Sequence, residues 1–430
     1  MAQAFQGPAP TDPAADGAQG VRAPGLQGFV FALFFIFGGI TSLNDVIIPK
    51  LKQLFTLSYG EALLVQSAFF AAYFLFSIPA AEVVRKLGYM RTAAIGLVTM
   101  MVGCLLFVPA SASASFPVFL FALFVLAAGI TTVQVVANPL ITLLGPAKTA
   151  SSRLTFAQAF NSLGTTIFPY VGSLLILGSL ATVDPKTLAG AALDAYRAAE
   201  THVVVTTYLG LAVALAIVAA VVWSRRKALV ETSTDDTPIW KAFDLLARPR
   251  FGFGALCIFV YVGAEVAIGS VIVNYLMQAS VFGLSAQEAG KHVPLYWGGA
   301  MVGRLIGGYV LRLFSPGKIL AGVACGAIGL LAVAMIGGGA LSGWALLAIG
   351  LMNSIMFPTI FSLANEGLGP RAAEGSGVIA MAIVGGAIIP PLAGHIADLT
   401  SLRTALFLPA LCYGVIAAYG VYARRPAAES

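Results

Sequence analysis

The stretch FVFALFFIFGGITSLNDVIIPK, residues Phe29 to Lys50, decides the fold class. As a helix it is long enough to cross a hydrocarbon layer, for which about 20 apolar residues suffice, and nearly every side chain in it suits lipid. Near its far end stand Asn44 and Asp45. Desolvating a carboxylate costs at least about 2.5 kcal/mol on the gentlest insertion scale. Asp45 therefore faces water, protein or a substrate, or carries a proton. Each option places it on a pathway through a membrane.

Outward from that stretch the apolar pattern recurs. Of 430 residues, 59% are apolar and 10% charged, the composition of a chain that crosses a bilayer many times. The runs predict twelve helices at 27–55, 61–84, 91–110, 117–144, 153–181, 202–224, 250–279, 291–313, 318–338, 342–365, 374–397 and 402–423. Little is left over for a soluble domain. Residues 1–26, rich in Ala, Gly and Pro, lack the basic start and short apolar core of a cleavable signal and read as a disordered cytoplasmic tail. With the N-terminus inside, most of the 24 Lys and Arg fall on cytoplasmic segments, which places both termini in the cytoplasm of a multi-pass protein. The net charge of +6 is thus spread over short loops, and nucleic acid is not implied as a partner.

The charged interruption 225–249 divides the chain into a six-helix half at 27–224 and another at 250–423, followed by a short tail at 424–430. The halves repeat one another. RKLGYMR (85–91) matches RLFSPGK (312–318) as a basic turn, and SLGTTIFP (162–169) matches IVGGAIIP (383–390), each with Gly five residues before Pro. Two parallel six-helix repeats with a substrate site between them describe the major facilitator architecture, an all-α membrane fold. Gly or Pro at matching places allows close packing and kinks.

Four ionisable groups fall within the spans or at their margins: Asp45, Glu265, Arg304 and Glu366. Glu265 lies midway along the seventh helix, too deep to reach bulk water by snorkelling, and so lines a central cavity. Arg304 can pair with a carboxylate or with a backbone carbonyl at a broken helix, as a clamp or as part of a gate. Glu82 pairs most simply with Arg85 or Arg91 in the basic turn. Amides recur at helical spacing: Gln134 with Asn138, Gln158 with Asn161, and Asn274 with Gln278, each pair on one helix face. An amide offers donor and acceptor together, as a polyol needs, although amides also join helices in membranes. Tyr275, Tyr296 and Trp297 can stack on a sugar ring. Removing water from around a carboxylate disfavours its charged form, which lets it load and release a proton in the physiological range. Asp45 is the first choice for that role and Glu265 the second, with Glu265 also able to accept hydrogen bonds from the cargo.

Other classes of function find little support. The 4 cysteines have no CxxC spacing and read as packing residues. His202, His292 and His395 are scattered, so no metal or other cofactor is expected beyond a co-transported proton or sodium ion. No HExxH or GxSxG occurs, which argues against an enzyme.

TSLNDVIIPKLKQ (41–53), QSAFFAAYF (66–74), AGITTVQVVANPLITLLGP (128–146), RLTFAQAFNSLG (153–164) and YVGAEVAIGSVIVNYL (261–276) resemble the fucose:proton symporter family of the major facilitator superfamily. The resemblance covers about residues 28–422. It implies a sugar:cation symporter of the bacterial inner membrane, with Asp45 as protonation site and the helix-five amides Gln158 and Asn161 in the sugar-binding set; Asn44 and Gln66 are counted with them, and a monomer is expected. Gln134 stands where fucose members carry a second carboxylate. Together with Glu265 this is similar to the branch that carries glucose, galactose or N-acetylglucosamine. The expected function is import of a glucose- or galactose-type hexose by proton symport through alternating access, with sodium coupling, N-acetylglucosamine or fucose as alternatives.

Overall fold

The computed structural model describes residues 25–55, 59–113, 115–172, 190–227 and 239–425. Among them there is no strand, and twelve helical segments follow one another as the apolar runs predict. The first half holds α1 (Leu26–Leu54), α2 (Tyr59–Leu87), α3 (Tyr89–Leu105, continued by Phe107–Ser113), α4 (Phe116–Leu143), α5 (Ala150–Gly172) and α6 (Ala191–Ser224). The second holds α7 (Pro249–Met277), α8 (Val293–Leu313), α9 (Pro316–Ile336), α10 (Gly339–Asn353, continued by Met356–Asn365), α11 (Ala372–Ala382, continued by Gly385–Leu399) and α12 (Leu402–Ala405, continued by Phe407–Tyr422). The predicted end of α5 lies outside the described residues. The start of α6 comes a few turns earlier than predicted, because ALDAYRAAET is helical. Residues Ile239–Ala247, expected as loop, form a 3-10 helix.

The packing is duplicated. In the first half α1 lies on α5, α2 and α3 on α4, and α3 on α6; in the second α7 lies on α11, α8 and α9 on α10, and α9 on α12. The repeated glycines have a shared purpose. A Cβ on Gly164 would stand 2.2 Å from the Phe35 carbonyl of α1, and one on Gly385 1.9 Å from the Phe259 carbonyl of α7. Only glycine allows those backbones to touch.

Outward faces are apolar, as with Val213, Ile217 and Val221 along α6, all exposed at one-turn spacing. Such a stripe is stable only against hydrocarbon. Among the described residues, ten of the twelve segments are long and apolar enough to cross a bilayer, while α5 and α8 are not among those ten. These two carry Arg153, Gln158 and Asn161 on one side and Arg304 and Arg312 on the other, and they pack on each other across the two halves.

Prolines shape the site helices. Proline lacks the N–H that would bond the carbonyl four residues back. In α4, Pro139 leaves Val135 O free, and Ser376 of α11 donates to it at 3.0 Å. In α10, Pro358 leaves Ser354 O free at the helix break, and Arg304 Nε of α8 donates to it at 3.2 Å.

Candidate functional site

The halves meet at one end of the bundle, where the described ends of the chain also lie. Gln27 donates to Leu144 O at 2.7 Å, Arg250 to Arg425 O at 2.8 Å and to Leu363 O at 3.0 Å. At that end Ser151 of α5 and Ser362 of α10 share a hydrogen bond of 2.6 Å. Arg312 Nε donates to Ser152 Oγ at 3.1 Å, and Ser152 donates to Gly308 O. On the opposite seam α2 lies on α11, with Gly377 against Ala81 and Ser77.

Above this seal, towards the middle of the bundle, polar groups converge. Arg304 donates to Ser162 Oγ, more weakly to Gln158 O at 3.4 Å, and to the proline-freed Ser354 O. One guanidinium thus ties α8 to α10 within its own half and to α5 of the other. Its partners are carbonyl and hydroxyl oxygens, while its field reaches Glu265.

Glu265 is half-buried and accepts a hydrogen bond from Tyr261, one turn earlier, at 2.8 Å. The same Tyr261 hydroxyl lies 3.1 Å from Asn353 O. Asn353 is fully buried at the break in α10, donates to Tyr296 at 2.8 Å and accepts from Tyr413 at 2.7 Å. Four helices of the second half are therefore joined through one residue, Asn353, by its backbone carbonyl and its side-chain amide. Trp297 is exposed and lies over Gly269, one turn beyond Glu265 on α7, with its ring edge-on to Tyr296 at 5.0 Å. Seven residues separate Trp297 from Arg304, so both occupy one face of α8.

In the first half Gln134 is buried and accepts from Tyr73 of α2 at 2.6 Å. Gln134 precedes Pro139 by five residues, as Asn353 precedes Pro358, and each bonds a tyrosine of its half. Asn138 is buried with its Oδ1 unpartnered, Gln158 is buried on α5, and Asn161 donates weakly to Phe34 O at 3.4 Å.

Several expected residues stand elsewhere. Tyr275 is buried and donates to Ala334 O of α9, away from the gap between the halves, because its ring continues the core face of α7. Asn274, beside it on α7, is exposed and stays in the candidate set. Glu366 lies beyond the end of α10, exposed and paired with Arg250. Glu82 pairs with Arg85 at 2.6 Å and Lys86 at 3.1 Å, both within one helical turn, while Arg91 is exposed on α3. The side chains of Asn44, Asp45 and Gln66 lie outside the described residues. Sequence reasoning missed Asn353, Tyr261 and Tyr413; the one available signal was the matching amide-to-proline spacing in α4 and α10.

The profile of the Major Facilitator Superfamily matches residues 30–383. The chain belongs to this superfamily. It is 46% identical over 389 residues to a glucose/galactose transporter of Brucella abortus, covering 90% of this chain and 92% of the relative. It is 33% identical over 394 residues to an L-fucose-proton symporter of Escherichia coli, covering 90% of each. A solved superfamily transporter, FucP in the outward conformation, superposes with a TM-score of 0.86 at 31% identity over 94% of this chain and all of that one. The chain is thus a multi-pass transporter, not an enzyme.

Proposed function

We propose that this protein imports a hexose of the glucose or galactose type by symport with protons, through alternating access of its two halves. The observation that carries this reading is Arg304, which donates to Gln158 O and Ser162 Oγ of the other half, has Glu265 within its field and shares its helix face with Trp297, next to a seal at one end. Hydroxyl-rich cargo is held by amides and a carboxylate and stacked on an aromatic face. The kinship with glucose/galactose transporters supports the choice of cargo, and Gln134 in place of a second carboxylate agrees with it.

Coupling is assigned to Asp45, with Glu265 as the second titrating group. A proton taken up together with sugar neutralises a charge that would otherwise resist transfer through the closed, desolvated state, so the two fluxes are linked. Asn44, Gln66, Gln134, Asn138, Gln158, Asn161, Asn274 and Trp297 complete the proposed sugar set, and Arg304 acts at the gate. The protein is assigned to the cell inner membrane with both termini cytoplasmic. The sealed end is then the inner one, and the arrangement is that of a carrier open to the outside.

Purified protein in liposomes, given labelled sugars under separately imposed proton and sodium gradients, tests this. Uphill glucose or galactose uptake driven by protons alone is expected. Uptake that follows only sodium, or only a non-hexose cargo, rejects it.

A further inference from the structure

The seam between α5 and α10 differs from its counterpart between α4 and α11. The two helices run antiparallel, fastened at the sealed end by Ser151 and Ser362, and near mid-membrane by Arg304, which reaches both Gln158 O and Ser354 O. Between these ties stand Thr155, one turn past Ser151, and Thr359, three residues before Ser362. A Cβ on Gly307 would approach both Thr155 and Ile355, the residue one turn before Thr359, which sets the two threonines on facing elements.

Both threonines are fully buried, and neither hydroxyl has a hydrogen-bond partner. Threonines elsewhere in these helices, such as Thr131, Thr132 and Thr166, return the hydroxyl to the carbonyl of the preceding turn. A buried, unpartnered hydroxyl is a net cost that valine, of the same shape, would not carry. On the opposite seam Gly377 of α11 meets Ala81 and Ser77 of α2, and α11 packs on α4, where Asn138 is buried with its Oδ1 unpartnered. Its one tie across is Ser376 to Val135 O among those described.

We propose that Ser151, Thr155, Thr359 and Ser362 form the wall of the inward-opening pathway. Their hydroxyls, crossed or unpartnered while the seam is shut, become partners for water and for the hydroxyls of a polyol once the halves part. The pathway therefore has a polar track on its α5/α10 side, with Ala373 of α11 outside that track. This inference rests on the transport reading above, but its first test does not need the cargo to be identified.

In a Cys325→Ser background, which removes the exposed native thiol, Thr155→Cys and Thr359→Cys are compared with Ala373→Cys in liposomes. A membrane-impermeant maleimide is applied from the side of the termini, with and without a proton gradient. At least threefold faster labelling of 155 and 359 than of 373 is expected; equal labelling, or faster labelling at 373, overturns the proposal. Because cysteine could disturb folding, the isosteric pair Thr155→Val and Thr359→Val is the second measurement. It should hold the seam shut, lowering maleimide reaction at Ser151→Cys at least threefold, with thermal stability equal to or above the parent; unchanged reaction at that position rejects the track. Failure of every sugar to accumulate would reject the hexose reading and leave these labelling ratios to decide the pathway separately.

Discussion

At Asn353 three tyrosine hydroxyls meet a helix broken by Pro358, and both side-chain amide atoms are bonded in a site with no solvent access. Removing one partner from such a cluster leaves the others desolvated and unpaired, at about 1–3 kcal/mol per group. Asn353→Ala is expected to lose about 2–4 kcal/mol of stability, read as a lowered melting temperature in detergent. The Tyr261 hydroxyl, which serves both Glu265 and Asn353 O, makes a sharper probe of chemistry. Tyr261→Phe should move the pH profile of uptake, whereas Tyr275→Phe, whose hydroxyl bonds Ala334 O on the far side of α7, should leave the profile in place. Asp45→Asn should abolish uphill accumulation and spare sugar exchange; proton-driven accumulation by that variant would remove Asp45 from the coupling role. Glu265 was legible in the sequence because a carboxyl in mid-helix has few harmless explanations. Asn353 was not, since an amide in a membrane helix serves equally as ligand or as glue.

Among the elements, the glycine pair Gly164 and Gly385 is visible in the sequence as a repeat, and the packing supplies its reason. Each lets the fifth helix of its half lie backbone to backbone on the first. Gly385→Ala places a methyl within 1.9 Å of a carbonyl oxygen, and an overpacked contact of this kind costs about 1–3 kcal/mol. Folded yield on size exclusion should fall, while Gly322→Ala in α9, which has open space around it, should express normally. The proline-freed carbonyls follow the same logic. Arg304 was expected to find either a carboxylate or a carbonyl at a broken helix, and the carbonyl of Ser354 is what it bonds. That outcome depended on where the α10 break faces, which no spacing in the sequence specifies.

For the molecule as a whole, the 3-10 helix Ile239–Ala247 matters because it touches α2 of one half and α7 and α11 of the other. Asp244 accepts hydrogen bonds from Arg371 at 2.6 and 3.3 Å, and those bonds hold its carboxyl below the usual carboxylate range. A depressed folded value means that the contact contributes fully above the unfolded carboxylate value and is lost only as pH falls through the lower folded one. Proteolysis of the 225–249 segment should therefore stay flat between neutral and mildly acid pH in the parent. Asp244→Asn should raise it a few-fold at most, since an exposed pair is screened by solvent.

What the sequence by itself determined was the membrane class, the number of spans, the duplication and the presence of an acidic group in mid-membrane. These are legible because lipid obliges each span to satisfy its backbone within its own helix, so length and apolarity suffice for ten of the twelve described segments, and the repeat of the halves accounts for α5 and α8. Tertiary structure alone decided which polar residues face one another. A helical period tells which side chains share a face, but the rotation of that face about the helix axis is set by the neighbours it packs on. That rotation turned Tyr275 into the core of its half, drew Glu366 to a surface pair, and brought Arg304, Gln158 and Ser354 together across the two halves.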